Sequence, residues 1–366
     1  MDQFLKLANP SSSKPAPTSS GGTDKPQSRS KRLDQTPWVE KYRPWGVADI
    51  VSQEEVVAVM KKCLMGEDIP NLLFYGGPGT GKTSTILAMA REMFGPNDMR
   101  ERVLELNSSD ERGIDVIREK VKGFSTRAVP PKRSDGQPCP AIKLVVLDEA
   151  DSMTQPAQEA LRRIMEKESR STRFCLICNY ISRIIDPITS RCAKFRFIPL
   201  PRTQIEAKLR SISQVEHVRI SEDALGALYD VSEGDLRKAI TYLQSIARLQ
   251  DSDSDNLTEA AQVYEISGFI PSQVMDKLLT ACQSDSYQQL DTAIRQVIAE
   301  GFSANQLLSQ LHDMVLTVDI LSDKQKSAVA LKLANVDKRI ADGGDEYINL
   351  LDMCSLLMQQ VCHAQL

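Results

Sequence analysis

Long apolar runs are missing from this chain. Nowhere in its 366 residues is there an uninterrupted apolar stretch near the length that spans a bilayer, so no membrane-crossing helix is expected. The start, MDQFLKLANP, lacks the apolar core and small-residue cleavage site of a secretory signal, and an intracellular protein is expected. Positive charge is not in excess: 45 Lys and Arg against 49 Asp and Glu leave a net charge of −4. That balance excludes wholesale binding to nucleic acid through a basic surface and restricts any such contact to a local patch. Aromatic residues make up only 5%, and none interleaves with the arginines considered below, so stacking on bases is not expected. The eight cysteines lack framework spacing and read as reduced thiols, and the three histidines, His217, His312 and His363, are too dispersed to form a site.

What is present divides the chain. Residues 1–36 are rich in Ser, Pro, Gly, Lys and Thr and are expected to be disordered, because they cannot bury enough surface to offset the entropy of folding. Their run Ser28-Arg-Ser-Lys-Arg32 has the character of a weak nuclear-import signal, although such runs are commonly just solvated charge. Residues 37–200 alternate short apolar runs with helical segments, which predicts an α/β domain with a parallel sheet covered on both faces. The predicted strands are 72–75, 103–106, 144–147, 174–178 and 195–198, and helices are expected near 54–65, 83–94, 114–123 and 156–167.

After Pro201 the periods become helical. Segments 203–212, 222–230 and 235–249 predict a small helical domain over 201–265, with Ser221 and Asp235 as N-caps. Residues 266–366 predict an all-α bundle, with helices near 271–283, 286–299, 303–319, 322–338 and 345–363 and no catalytic constellation, which suits packing or assembly.

Gly76-Gly77-Pro78-Gly79-Thr80-Gly81-Lys82-Thr83 matches the phosphate-loop pattern, follows the apolar strand LLFY and precedes a helix. Its glycines let backbone N–H groups turn inward around phosphates, Lys82 supplies a point charge, and the Thr83 hydroxyl can hold Mg²⁺. The strand Leu144–Leu147 then delivers Asp148 and Glu149 to the same sheet edge. Asp148 is expected to hold Mg²⁺ through water, and Glu149 to orient and deprotonate an attacking water. The letters Asp148-Glu-Ala-Asp151 alone would suggest an RNA helicase, but the second sheet domain which that reading needs does not follow.

Asn179, at the end of FCLICN, is expected beside these carboxylates as a sensor of the terminal phosphate, although an Asn after a strand is more often a turn residue. Arg237, in Gly234-Asp-Leu-Arg-Lys238, reaches the nucleotide only if the second domain closes as a lid; otherwise it is an exposed helix arginine. Arg191 lies on the loop before the last strand, far from the bound phosphates of its own chain. Its expected role is in trans, at a neighbour's terminal phosphate. Cys175 and Cys178 have metal-like spacing, but strand alternation turns positions three apart to opposite faces, so they read as structural.

These residues, together with PWVEKYRP (37–44), Asn107-Ser-Ser-Asp-Glu-Arg-Gly-Ile114, LDEADSM (147–153), Ser190-Arg-Cys192 and GDLRKAI (234–240), resemble the clamp-loader branch of the AAA+ ATPases. Within it they are most similar to the small subunits of eukaryotic replication factor C. One departure is Gly77, where that family usually has proline. The resemblance implies an AAA+ domain, a helical lid and an all-α oligomerisation collar. It implies a nuclear ATPase in a hetero-pentamer with one large subunit, which uses ATP and Mg²⁺ to open the sliding clamp PCNA and place it on primer-template DNA. It implies ATP contacts from Val39, Arg43, the phosphate loop through Ser84, Asn179 and Arg237, and DNA-backbone contacts from Arg112, Arg118 and Arg183. Val121 and Phe124, near the end of the helix expected at 114–123, either face the clamp or, as is more usual for such residues, belong to the core. Two other readings stay open at this point: an AAA+ machine of another kind in a closed homomeric ring, and a subunit that holds ATP chiefly to organise the assembly.

Overall fold

The computed structural model describes residues 36–109, 117–127, 129–130, 132–137, 139–250, 257–317 and 321–363. Five strands, β1 (Leu72–Gly76), β2 (Val103–Asn107), β3 (Lys143–Asp148), β4 (Thr172–Cys178) and β5 (Ala193–Phe197), form one sheet in the order β2-β3-β4-β1-β5. Every pairing is parallel. Two helices, α1 (Trp38–Lys41) and α2 (Glu54–Leu64), precede the sheet; parallel strands need crossovers, and these run through α3 (Lys82–Arg102), α4 (Lys122–Ser125), α5 (Gln155–Lys167) and α6 (Asp186–Thr189). Helix α3 breaks at Gly95, whose φ of 75° precedes Pro96, a residue that cannot continue the hydrogen-bond ladder.

Side-chain alternation sorts the strands into two cores. Phe74, Val146, Cys175, Ile177 and Phe197 pack with Ile86, Met89 and Phe94 of α3 on one face. Leu73, Val145, Leu147, Phe174, Leu176 and Cys178 pack with Ala157, Leu161 and Met165 of α5 on the other. Cys175 and Cys178 thus sit on opposite faces, as the period of two requires. Val121 is fully buried in the second core, and Phe124 packs against it; both are core residues.

Two expectations are corrected. The last strand runs from Ala193 to Phe197, not 195–198: Ala193 pairs with Leu72, and Ile198, 49% exposed, is stopped by Pro199, which disfavours further strand pairing. The helix expected at 114–123 is described only from Ile117, as a π-helical turn Ile117–Val121 followed by α4. Its first residues, together with the N-terminal tail through residue 35, lie outside the described residues.

Beyond the sheet come α7 (Arg202–Val215), α8 (Glu222–Ser232), α9 (Leu236–Leu249) and α10 (Ala260–Ser267). Ser221 and Asp235 cap α8 and α9 as expected, Ser221 accepting from the Ala224 amide and Asp235 from those of Arg237 and Lys238. Helix α10 was not anticipated. Eight residues with one fully buried side chain, Val263, are too short to display a helical period. The core of this unit also takes in Trp38, Val39, Tyr42 and Val51, so the segment that opens the sheet domain in sequence packs against the lid in space. Helices α11 (Ser272–Gln283), α12 (Tyr287–Ala299), α13 (Ala304–Thr317), α14 (Asp323–Ala341) and α15 (Glu346–Cys362) form a separate bundle around Leu278, Ile294, Leu307, Leu311, Val329 and Met353.

Candidate functional site

The C-terminal edge of the sheet opens into a cleft of about 340 Å³ between the sheet domain and the helices α7 and α9. Register explains how it is assembled. Tyr75 pairs with Cys178, which brings the next residues of each strand, Gly76 and Asn179, to one edge, and Asn107 pairs with Asp148 on the far side of β4. The turn after β1 needs left-handed backbone at Gly79 (φ 66°) and Gly81 (φ 91°), conformations that only glycine adopts freely.

The Lys82 side chain, only 8% exposed, folds across this turn and donates to the carbonyls of Gly76 (2.9 Å) and Gly77 (2.8 Å) and to Asn179 Oδ1 (3.1 Å). Burial lowers its pKa below the ordinary lysine value, and the charge of Arg237 acts in the same direction while Asp148 opposes it. Thr83 Oγ1 donates to Asp148 Oδ2 at 2.7 Å. A hydroxyl and a carboxylate oxygen side by side are the hard donors that Mg²⁺ prefers, so these two residues fit that ion. Glu149 has φ of 51°, a strained conformation for a non-glycine residue, and its amide donates to Asp148 Oδ1 at 2.9 Å. Its side chain is exposed at the mouth of the cleft.

Most of the residues expected from sequence therefore meet in one place. Val39, Arg43, Pro78, Gly79, Thr80, Gly81, Lys82, Thr83, Ser84, Asp148, Glu149, Asn179 and Arg237 all line the cleft. Gly76 and Gly77 stand behind it and present their carbonyls to Lys82. Arg191 does not join them. It precedes β5 at the opposite end of the sheet, pairs with Glu166 of α5 at 2.7 Å and donates to the Pro187 carbonyl at 2.6 Å. Arg183 is exposed in a short 3-10 turn, with its guanidinium 5.3 Å from the centre of the Tyr180 ring. Arg118 falls in the π-helical turn, and Arg112 lies outside the described residues.

Several residues with parts in the site escaped the sequence reading. Tyr42, Pro44, Ile50, Val51, Leu200, Leu236 and Ile240 line the apolar side of the cleft, a surface fit for a flat heterocycle. They come from three separated stretches; Tyr42, Pro44, Leu236 and Ile240 fall within the motifs 37–44 and 234–240, but nothing local marks them, or Ile50, Val51 and Leu200, as one wall. Asp151 accepts from the amides of Asn179 and Tyr180 and so fixes the turn that presents Asn179. Buried Gln158 donates to the carbonyls of Met153 and Arg183 and accepts from the Ile185 amide, tying three turns together. A carboxylate three residues after Asp148 was a visible clue for Asp151; a glutamine inside an amphipathic helix gave none for Gln158.

Comparison with known proteins bears directly on this geometry. Residues 72–200 match the model of the ATPase family associated with various cellular activities (AAA). Residues 207–248 match the RCF1/5-like AAA+ ATPase lid domain, and 270–356 match the replication factor C C-terminal domain. The chain is 57% identical over 331 residues to replication factor C subunit 4 of Homo sapiens, covering 90% of each chain. It is 49% identical over 332 residues to replication factor C subunit 2 of Schizosaccharomyces pombe, covering 89% of this chain and 96% of that one. Its fold is similar to that of the RuvB Holliday junction branch migration motor of Thermotoga maritima, with a TM-score of 0.50 at 14% identity over 71% of this chain and 89% of that one. With a nucleotide-binding cleft of AAA type, a lid, a C-terminal helical domain and relatives matched over nine-tenths of its length, the chain belongs to the replication factor C family of AAA+ ATPases.

Proposed function

We propose that this chain works as one ATP-hydrolysing subunit of a nuclear clamp loader, a hetero-pentamer that opens the sliding clamp PCNA and sets it on primer-template DNA. The observation that carries the proposal is the separation of Arg191 from the cleft. A chain whose phosphate loop and carboxylates lie at one end of the sheet, and whose exposed arginine lies at the other, is built to be completed by a neighbour.

The phosphate loop amides and Lys82 bind the polyphosphate, Asn179 hydrogen-bonds its terminal group, and Arg237 approaches from the lid. Thr83 and Asp148 would hold Mg²⁺, which would supply charge neutralisation for the phosphates. Glu149, exposed at the mouth, accepts the proton of the attacking water. Arg191 gives up Glu166 to meet a neighbour's terminal phosphate. The exchange is cheap, because an ion pair with side chains about 40% exposed contributes only about 0–1 kcal/mol. Arg112, Arg118 and Arg183 serve as backbone contacts to DNA, independent of base sequence.

The test is steady-state ATP hydrolysis by the chain co-purified with its natural partners, with and without primed DNA plus clamp, comparing wild type with Arg191→Ala. Joint stimulation that the substitution lowers, with ATP binding to the altered chain intact, is the expected result. Full hydrolysis by the isolated chain as a homo-oligomer indifferent to the clamp would overturn the proposal in favour of another kind of AAA+ motor.

A further inference from the structure

Helix α7 carries three basic residues besides its apolar face, and two of them are neutralised outward. Arg202 pairs with Glu206 at 2.7 Å and with Asp230 at 3.4 Å. Arg210 pairs with Glu222 at 2.5 Å. The third, Lys208, turns the other way. It lines the nucleotide cleft together with Leu200, Leu236, Arg237 and Ile240, flanked on its own helix by the fully buried Ile205 and Leu209. The side chain is half-buried, and among the described residues its ammonium has neither an ion pair nor a hydrogen bond.

That arrangement calls for an anion. A half-buried ammonium forgoes part of its hydration, and a protein usually compensates it with a carboxylate or carbonyls. Two of the other cations at the cleft already have such compensation: Lys82 donates to two carbonyls and to Asn179, and Arg43 pairs with Glu40 at 3.2 Å, while Arg237 is exposed and keeps its hydration. A lysine stem can lie along the apolar wall while its head reaches forward. Arg237 reaches the same cleft from the neighbouring helix α9, so the lid presents two positive groups from two different helices.

We infer that Lys208 is a further nucleotide-binding residue, an ammonium that the lid supplies to the phosphate chain of ATP. This rests on the reading of the cleft as an ATP site. With both charges on the lid, the anionic nucleotide links α7 and α9 to the phosphate loop. Lid closure then depends on the phosphates and not on the base alone.

The experiment is equilibrium binding of fluorescent ATP, ADP and adenosine to the full-length chain, comparing wild type, Lys82→Ala, Lys208→Ala and Lys208→Arg. Lys208→Ala is expected to weaken ATP roughly ten-fold, the scale of one charge-assisted hydrogen bond, and ADP by less. Adenosine affinity and the melting temperature without nucleotide stay at wild-type values, and Lys208→Arg restores most of the loss. If Lys208→Ala binds ATP as wild type does while Lys82→Ala fails, the inference about Lys208 falls and the ATP site stands. Equal losses for ATP and adenosine also overturn it, since the lysine would then be shaping the base pocket. A wild-type chain with no affinity for ATP would overturn the ATP site and Lys208 together.

Discussion

The carboxylate of Asp235 lies directly over Gly79, so close that a Cβ added to the glycine would come within 1.7 Å of Oδ1. The same oxygen accepts from the amides of Arg237 at 2.8 Å and Lys238 at 3.2 Å, so the N-terminus of α9 is seated on the phosphate loop.

Gly79→Ala is therefore expected to abolish tight ATP binding. It adds a clash with Asp235 to the cost of about 1 kcal/mol for a left-handed alanine. Asp235→Ala alone removes a cap, worth roughly 1 kcal/mol of lid stability. The double variant should bind ATP better than Gly79→Ala, because the clash is gone. Titration of ATP against all three variants decides the matter, and a double variant no better than Gly79→Ala would show that the contact is not what excludes a side chain.

Glu149→Gln keeps the shape and the left-handed backbone but removes the base. Turnover by the assembled complex is expected to fall by about 10²–10⁴-fold per altered site, with ATP affinity close to wild type. Single-turnover hydrolysis beside equilibrium binding measures both. Retained turnover would assign the proton to another group.

The Glu216 carboxylate accepts from the Lys41 ammonium at 2.5 Å and from the Tyr42 hydroxyl, pinning α1 to the lid. Burial alone would raise its pKa, but these donors outweigh burial and hold it below the ordinary 4.5. A carboxyl depressed on folding stabilises above its unfolded pKa and loses that contribution as pH falls through the folded value. Acidification below about 4.5 should thus free residues 38–44 first, raising their amide exchange before that of the sheet. Glu216→Gln should show the freed state already at neutral pH, and an unchanged exchange pattern would refute the clasp.

Lys143 is 1% exposed at the start of β3, and its ammonium donates to the carbonyls of Phe124 (2.8 Å), Ser125 (2.7 Å) and Arg127. Lys143→Met leaves those acceptors without a donor and is expected to cost about 1–3 kcal/mol, lowering the melting temperature. Amide exchange over 122–127 should rise more than exchange over the rest of β3, and a uniform rise would mean that the lysine only supports the core.

Local signals in the sequence settled the phosphate loop, Asp148 and Glu149, the caps Ser221 and Asp235, and the parallel α/β plan, because each depends on a few adjacent residues or on one period. The end of β5 was misjudged because apolar letters outran the hydrogen-bond register, and α10 was missed because it is too short for a period to show. The place of Arg191 just before a predicted strand likewise implied that it would not serve its own cleft, since a loop before a parallel strand lies at the end opposite to the loop after one.

Only the tertiary structure decided that α1 packs on the lid rather than on the sheet it precedes, and that Asp235 rests on Gly79. Only the fold could show that Lys208 faces the cleft while Arg202 and Arg210 face outward. These are contacts between segments far apart in the chain, fixed by which surfaces remain to be covered once each unit has formed. No residue's neighbours in sequence carry that information, because burial and charge pairing are settled between elements and not within them.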